Sequence, residues 1–466
     1  MSLLQREHGQ EQPFIPAGPF KIRFPFIHYR FEWADYAQGL VMCAVCLGII
    51  PLLQEVLGMP FEVAITIVIL NGFLYCWHAH LGDPVVPGWI TPAIPLLVAY
   101  VKAFPEGVPR MHALISFELT LGIFAFVLGV TGMAKRFVDA IPNAIKAGVL
   151  IGAGIAAVTM IFRPDDGRFW KSPITISICL GLAVFLLFSN MYKSIRHRHK
   201  ILTVISDLGI MPSILVATII GPLFEPSAIP FPHLQWGFTV PHVVELFTQW
   251  TPWSPRIGWP SVGMFLSAIP LVVAVYIVLF GELIQAQALI EESSHFRPDE
   301  KVDFNPNRNN IIVGLRNMIM STFGPDISMC GPMWAAMQVV ETDRYKHGRE
   351  AMDSLIGGVA SFRLGTFTGY WLSPIVTFVK PILNTALSLT LLIQGFVAVR
   401  IGVLKARSYN DLGIAGIVAG VLAVKGAAWA FGVGIIMCLL IYGRNFFAEQ
   451  PVKASEQVPP HNIYCD

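Results

Sequence analysis

The sequence alternates between long apolar stretches and short polar or proline-rich segments. A helix that crosses a lipid bilayer needs about 20 mostly apolar residues. The continuous candidates are Tyr36–Leu57, Phe61–Trp77, His112–Met133, Ala144–Phe162, Ile174–Met191, Ile201–Leu223, Val262–Gln285, Leu355–Leu372 and Trp429–Tyr442. The shorter or interrupted candidates are Pro84–Val101, Asn310–Thr322, Ile327–Val340, Pro374–Ile401 and Leu412–Val424. This pattern predicts an all-α polytopic membrane protein with about 14 transmembrane elements.

A proline- and tryptophan-rich segment between Gly221 and Ser261 divides these elements into two blocks of similar length. Each block holds about seven elements, and an odd number of crossings makes the second block face the opposite way. The sequence therefore predicts two inverted repeats. The expected parts are a cytoplasmic N-terminal segment (1–33), a first repeat (34–221), an extracytoplasmic connector (222–260), a second repeat (261–442) and a cytoplasmic tail (443–466).

Composition and charge agree with a lipid-covered surface. The chain is 54% apolar and 13% charged, whereas soluble domains carry about 25% charged residues. Lysine and arginine concentrate in the loops 193–200, 297–308 and 344–349, which fall on the side of the N-terminus after an even number of crossings. The positive-inside rule then predicts that both termini are cytoplasmic, in a plasma or inner membrane.

The sequence argues against several other classes of protein. It contains no glycine-rich phosphate loop, no catalytic triad, no dinucleotide fingerprint and no His-Glu-x-x-His metal motif. We expect a secondary transporter rather than an enzyme, without a cofactor or a metal; a membrane enzyme or a non-transporting sensor is the alternative. The expected partners are a small-molecule substrate with a proton or sodium ion, and the bilayer, but no nucleic acid. A homodimer is the candidate assembly.

Two segments, 82–95 and 323–334, are too rich in proline and glycine for ordinary spanning helices. Each occupies the third element of its half, and they are therefore the third and tenth elements of the chain. Broken backbone at membrane depth is tolerated only where protein or a water-filled cavity surrounds it, and matched breaks indicate a transporter binding site. The helix N-termini after Pro92 and Pro332 would present N–H groups to a substrate. The alternative is a pair of kinked helices with a purely structural role.

Ionisable residues inside spans are costly and are functional candidates. Glu282 follows an apolar run on the helix that opens the second half, and Asp326 lies inside the second break. Alternatively, Glu282 belongs to a cytoplasmic acidic cluster, and Asp326 is a turn or N-cap residue for the following helix. The candidate substrate-binding residues are Glu282, Asp326, Gln285, Pro84, Trp89, Thr91, Ile327 and Ser328, and the coupling candidates are Glu282 and Asp326.

Other features are weaker signals. Arg316 precedes the second break and could supply positive charge for an anion, whereas Arg363 is expected to snorkel or to pair structurally. Gly148, Gly152 and Gly154 predict a tight helix-packing face.

The stretch from Glu282 to Trp334 resembles the nucleobase–cation symporter family, the xanthine/uracil permeases. Glu282 at the end of an apolar helix, 309–315 (Asn-Asn-Ile-Ile-Val-Gly-Leu) and 321–326 (Ser-Thr-Phe-Gly-Pro-Asp) carry the resemblance, and Ile141-Pro142-Asn143 is similar to that family's fifth helix. In that family the tenth-element acid is usually glutamate, where this chain has Asp326.

The resemblance implies a fourteen-helix, seven-plus-seven inverted repeat with a core domain and a gate domain. The substrate would lie between the third and tenth elements, with Glu282 holding it and Asp326 stabilising it or carrying protons. The expected function is proton- or cation-coupled uptake of a nucleobase-like solute. The alternative is a sulfate-permease-like transporter of anions or organic acids with the same fold, which would use the two helix N-termini and Arg316.

Overall fold

The computed structural model describes residues 2–164, 167–196, 202, 205 and 208–443. The helices within them are α1 (Trp33–Cys46), α2 (Ile50–Leu57), α3 (Phe61–His80), α4 (Ile94–Lys102), α5 (Val108–Thr131), α6 (Ala134–Asp139), α7 (Asn143–Phe162), α8 (Pro173–Phe188), α9 (Asn190–Arg196), α10 (Met211–Phe224), α11 (Val243–Trp250), α12 (Val262–Ser294), α13 (Pro306–Phe323), α14 (Ala335–Lys346), α15 (Leu355–Trp371), α16 (Ser373–Val379), α17 (Leu383–Lys405), α18 (Tyr409–Lys425) and α19 (Ala427–Tyr442). The strands are β1 (Ile15–Ala17), β2 (Phe20–Ile22), β3 (Gly88–Trp89) and β4 (Cys330–Gly331). The expected tail beyond Gly443, and residues 201, 203, 204, 206 and 207 of one expected span, lie outside the described residues.

Much of the described chain forms apolar helices of membrane-spanning length. The long ones are Trp33–Leu57, Phe61–His80, Val108–Thr131, Asn143–Phe162, Val262–Ser294 and Ser373–Lys405. Shorter apolar helices are Thr91–Lys102, Pro173–Phe188, Met211–Phe224 and Ala427–Tyr442. The protein is therefore an integral membrane protein of the all-α class, as its sequence predicts.

Helix pairings repeat between the two halves with the roles exchanged. Helix α1 of the first half packs on α15 of the second half, and α12 of the second half packs on α5 of the first half in the same way. Helix α5 of the first half also packs on α13 of the second half, as α15 of the second half packs on α3 of the first half. In the same way α7 packs on α18 as α17 packs on α8, and α7 and α17 pack on each other. These exchanged pairings are what two inverted repeats produce, and they confirm the predicted architecture.

The two broken elements cross as short extended segments. Strands β3 and β4 pair in antiparallel register, with Gly88 opposite Gly331 and Trp89 opposite Cys330. The backbone N–H of Trp334 also donates to Val86 O at 2.7 Å. A helix follows each strand, so both predicted breaks are confirmed.

Close backbone approach at this crossing requires glycine. A Cβ on Gly331 would lie 2.7 Å from the carbonyl carbon of Trp89, and backbone cannot yield as a flexible side chain can. Gly331→Ala should therefore lower the free energy of unfolding by about 1–3 kcal/mol. Thermal unfolding in detergent measures this. Gly413→Ala on α18 is the control, because nothing lies within 4 Å of its Cβ. Equal melting temperatures for the two variants would contradict the proposed constraint.

Glycine also sets the packing of α7. A Cβ on Gly148 would meet Ala415 O at 3.0 Å, and one on Gly154 would meet Gly395 O at 2.6 Å. The predicted small-residue packing face is therefore confirmed: it brings α7 against α18 and α17.

The N-terminal segment covers one end of the helical bundle. Arg6 forms an ion pair with Asp299 at 2.6 Å, in the loop between α12 and α13. The backbone N–H of Arg23 donates to His80 O at 2.9 Å, and that of Glu32 donates to Ser361 Oγ at 2.9 Å. These contacts fasten the ends of several helices that are distant in sequence.

The central connector covers the opposite end. The backbone N–H of Thr239 donates to Trp371 O at 2.8 Å, at the end of α15, and that of His242 donates to Thr66 Oγ1 at 2.8 Å, near the start of α3. Because these helices have their other ends at the N-terminal segment, the connector and that segment lie on opposite sides. Which side is cytoplasmic stays a prediction.

Candidate functional site

A narrow cleft, with a cavity volume of about 30 Å³, lies where the two broken elements meet α1, α3, α12, α15 and α17. The residues that line it are Val45, Cys46, Tyr75, Gly88, Trp89, Thr91, Glu282, Met333, Trp334, Ala335, Arg363, Thr390 and Gln394. Both halves of the chain contribute, and the crossing of β3 and β4 forms part of its wall.

Two helix N-termini open on this cleft. Thr91 begins the short turn that leads into α4, and Ala335 begins α14. The first N–H groups of a helix have no partner within it and carry partial positive charge. The crossing therefore directs two positive helix ends toward one space.

Arg363 adds a full positive charge to the same cleft. It lies at the middle of the 17-residue helix α15 and is completely buried. None of its three guanidinium nitrogens has a hydrogen-bonding partner in the described part of the chain. Its guanidinium carbon lies 4.3 Å from the ring centroid of Tyr75 and 5.1 Å from that of Trp334. Aromatic faces attract a cation but do not satisfy its N–H groups.

Two tyrosine hydroxyls extend this set of donors. The Tyr75 and Tyr370 side chains are buried, and neither hydroxyl has a hydrogen-bonding partner among the described residues. Both rings lie near Arg363 and the Cys46 thiol. The site thus gathers several donors around the Cys46 sulfur, which is a weak acceptor, and an anion could accept from all of them.

Glu282 is the acidic residue of the cleft. One of its carboxylate oxygens is buried without a partner, and no ion pair joins it to Arg363 or to any other described cation. An arginine and a glutamate therefore line the same space without neutralising each other directly.

The predicted site residues divide into two groups. Glu282, Trp89 and Thr91 line the cleft. Gln285 is half-buried one turn further along α12, and Pro84 is buried in the loop before β3. Neither of these two lines the cleft.

Asp326, Ile327 and Ser328 form a buried turn before β4 and also do not line the cleft. Asp326 Oδ1 accepts from the Ser328 backbone N–H at 2.9 Å, and Asp326 Oδ2 accepts from Asn71 Nδ2 at 2.8 Å. The structure therefore does not place Asp326 beside Glu282, and it gives Asp326 the turn-forming geometry of the alternative interpretation.

Arg316 also lies outside the cleft. It donates to His78 Nε2 at 2.8 Å, to Asn71 Oδ1 at 3.2 Å and to Gly331 O at 3.3 Å. His78 Nδ1 in turn lies 2.6 Å from Asp83 Oδ2. Both terminal nitrogens of this arginine are bonded within a buried polar network beneath β4, while its Nε has no partner among the described residues. Arg363 is the arginine that reaches the cleft.

Sequence reasoning underrated Arg363, and the signal was its depth. A side chain with eight residues of its helix on either side is too far from both ends to snorkel readily, since each residue adds about 1.5 Å of rise. Tyr75, Cys46, Thr390 and Gln394 gave no such signal, because residues of these types also occur in ordinary packed spans.

The fold and this cleft define a class: integral membrane proteins built from two inverted repeats whose broken elements meet at a buried polar site. Solved structures that share the fold include a bicarbonate transporter and SLC26A9. The transmembrane domain of the cyanobacterial bicarbonate transporter BicA matches with a TM-score of 0.50 and 14% identity, over 86% of this chain and 96% of that one. SLC26A9 matches with a TM-score of 0.53 and 16% identity, over 88% of this chain and 64% of that one.

The mouse SLC26A9 anion transporter in its inward-facing state also matches, with a TM-score of 0.50 and 15% identity, over 88% of this chain and 68% of that one. The chain thus spans slightly less than two thirds of one SLC26A9 structure. No protein-family profile matches the sequence. No curated protein matches it either.

These structures overturn the family suggested by the sequence. The resemblance to the nucleobase–cation symporters is wrong, because the matching structures are a bicarbonate transporter and SLC26A9 anion transporters. The Phe-Gly-Pro-Asp turn explains the error: it ends α13 and redirects the chain into β4. Any fold with a broken tenth element needs such a turn, whatever its substrate.

Proposed function

We propose that this protein is a secondary transporter of a small inorganic or organic anion, and that Arg363 binds the anion. The unpaired, fully buried guanidinium of Arg363 is the observation that carries the proposal. Burying a charge without a partner is costly, and an anion in the cleft would compensate it. The likeness to the bicarbonate and SLC26A9 anion transporters supports the same substrate class.

A neutral nucleobase fits these groups less well. It would leave the charge of Arg363 uncompensated, although its carbonyl groups could accept individual hydrogen bonds. A carboxylate, carbonate or sulfate oxygen can accept a bidentate pair from a guanidinium. The helix ends at Thr91 and Ala335 favour negative charge as well.

Glu282 is the proposed coupling residue. A cation or proton bound at this carboxylate would offset the charge that the anion brings into the cleft. The structure favours Glu282 over Asp326 for this role, because Glu282 shares the cleft with Arg363 while Asp326 is held by Asn71 and Ser328.

Uptake by purified protein in liposomes tests the proposal. Radiolabelled bicarbonate, sulfate, chloride and a dicarboxylate are compared with uracil and xanthine, with and without inward sodium and proton gradients. We expect saturable uptake of at least one anion and none of the two nucleobases. Nucleobase uptake without anion uptake would overturn the substrate class.

Glu282→Gln tests the coupling role, since it keeps side-chain size and removes the charge. Anion binding should persist, and uptake should lose its dependence on the driving gradient. Gradient-driven and equilibrium-exchange fluxes measured side by side separate the two effects. Glu291→Gln is the matched control, because Glu291 is exposed on the same helix and accepts a hydrogen bond from Gln287. Unchanged gradient dependence in Glu282→Gln would exclude this role.

The topology also remains a proposal: cytoplasmic termini in a plasma or inner membrane, and an extracytoplasmic connector at 222–260. Gln235→Cys provides the test, because the backbone of this connector residue is anchored to Thr377 and the native cysteines within the described ranges are buried. Impermeant thiol reagents should label it in intact cells. Labelling only after permeabilisation would reverse the topology.

A further inference from the structure

A second charged site lies between the start of α1 and the last turns of α14. The carboxyl groups of Asp35 and Glu341 are fully buried and neighbour each other, because Arg344, one turn after Glu341 on α14, forms an ion pair with Asp35. Both oxygens of Glu341 and Oδ2 of Asp35 have no hydrogen-bond donor in the described structure. Two ionised carboxylates cannot bond each other, because each only accepts.

The surrounding charges do not neutralise this pair. Arg344 contacts Asp35 Oδ1 and donates its other nitrogen to Ala351 O at 2.8 Å. The remaining charged neighbour, Glu32, is engaged by Arg30 at 2.9 Å. One arginine therefore serves each of Asp35 and Glu32, and Glu341 has no cation bonded to it among the described residues.

The packing around Glu341 supplies no further ligand. A Cβ on Gly358 of α15 would lie 2.8 Å from Glu341 Oε2 and 2.6 Å from the Met352 side chain. This side of the site is therefore filled by small and apolar groups. A hard metal cation needs about six oxygen ligands, and the described residues contain no cluster of three or more potential metal ligands.

We infer that Asp35 and Glu341 form a proton-binding site that holds one proton between the two carboxyls. The proton comes from water on the side of the N-terminal segment, and the protonated carboxyl donates to the other one. Two carboxylates in one buried site share a proton because both cannot ionise cheaply.

This site connects to the cleft through its two helices. Ala335, at the start of α14, lies on the cleft six residues before Glu341, and Val45 and Cys46 of α1 line it as well. Loss of the shared proton would set two like charges against each other between these helices. The site would therefore make the cleft sensitive to pH, a consequence that rests on the proposed transport function.

Infrared difference spectra of the purified full-length protein, recorded between mildly acidic and mildly alkaline pH, test the site without transport. The wild type should show a protonated-carboxyl band that is lost in Glu341→Gln and shifted in Asp35→Asn. Glu300→Gln is the control: Glu300 is a buried carboxyl at the same end of the protein, and burial raises the pKa of its carboxyl to about 7. The Glu341-dependent band should persist in that variant. Identical spectra for wild type and both pair variants would overturn the inference.

The consequence for transport is measured as the pH profile of anion exchange in liposomes. In Glu341→Gln, the change in exchange rate across this pH range should be at least tenfold smaller than in the wild type. In Glu300→Gln, the part of the pH dependence that Glu341 causes should remain. An unchanged profile in Glu341→Gln overturns the pH-sensing role. If the wild type carries no anion but the infrared band behaves as expected, the proposed function fails and the proton site stands.

Discussion

Arg363→Met should strongly weaken anion binding while leaving the purified protein at least as stable as the wild type. The lost charge pair is expected to weaken affinity about 30- to 5,000-fold, because breaking a buried charge interaction with a ligand costs about 2–5 kcal/mol. Folding should not suffer, since Arg363 has no acceptor to lose among the described residues. Replacing a buried uncompensated charge with an apolar side chain is neutral or stabilising by about 1–4 kcal/mol.

Anion-induced stabilisation in detergent and equilibrium exchange in liposomes measure the two parts of this prediction. Arg363→Lys should retain part of the binding, because it keeps the charge and loses the bidentate geometry. Arg400→Gln is the control for a lost positive charge, since Arg400 is exposed on α17. If Arg363→Met still binds the anion with wild-type affinity, Arg363 is not the binding residue.

Arg316→Met should have the opposite outcome, with a loss of about 3–5 kcal/mol in the free energy of unfolding. Arg316 is as deeply buried as Arg363, but its guanidinium bonds His78, Asn71 and the β4 backbone. These partners hold Asp83 and Asp326. Without the arginine, two buried acidic groups lose the nearest positive charge, and the support beneath the crossing disappears.

Chemical and thermal unfolding of Arg316→Met and Arg363→Met, measured in parallel, gives the free energy of unfolding of each variant. The two substitutions are chemically identical and both lie in buried helices, so each serves as the control for the other. Equal destabilisation of the two variants would contradict the distinction between a structural arginine that bonds its neighbours and a binding arginine whose guanidinium has no partner among the described residues.

Much of the fold could be read from the sequence because its signals are local. A run of consecutive apolar residues indicates a span. Proline and glycine indicate the breaks at 82–95 and 323–334. The pairing of β3 with β4 then agreed with the expectation from their matched positions. Trp89 and Thr91 could be placed in the candidate site by the same reasoning, since the first break itself brings them there.

The family and the make-up of the site were harder to predict. The Phe-Gly-Pro-Asp turn reports a chain reversal and carries little information about substrate. Asp326 and Arg316 are as polar in sequence as Glu282 and Arg363. The first two bond Asn71 and its neighbours, whereas the guanidinium of Arg363 and one oxygen of Glu282 have no partner among the described residues. Whether a buried charge has a partner depends on side chains far away in the sequence.

The sequence by itself determined that this is a polytopic membrane protein of two inverted halves with matched breaks, because hydropathy and backbone-breaking residues act over one helix at a time. Only the tertiary structure decided which charges share a cleft. Tyr75, Glu282 and Arg363 belong to three different helices, and their proximity follows from helix packing and from the crossing of β3 and β4. Electrostatic compensation depends on distance in space, so the unpaired arginine that points to an anion becomes visible only once the helices are assembled.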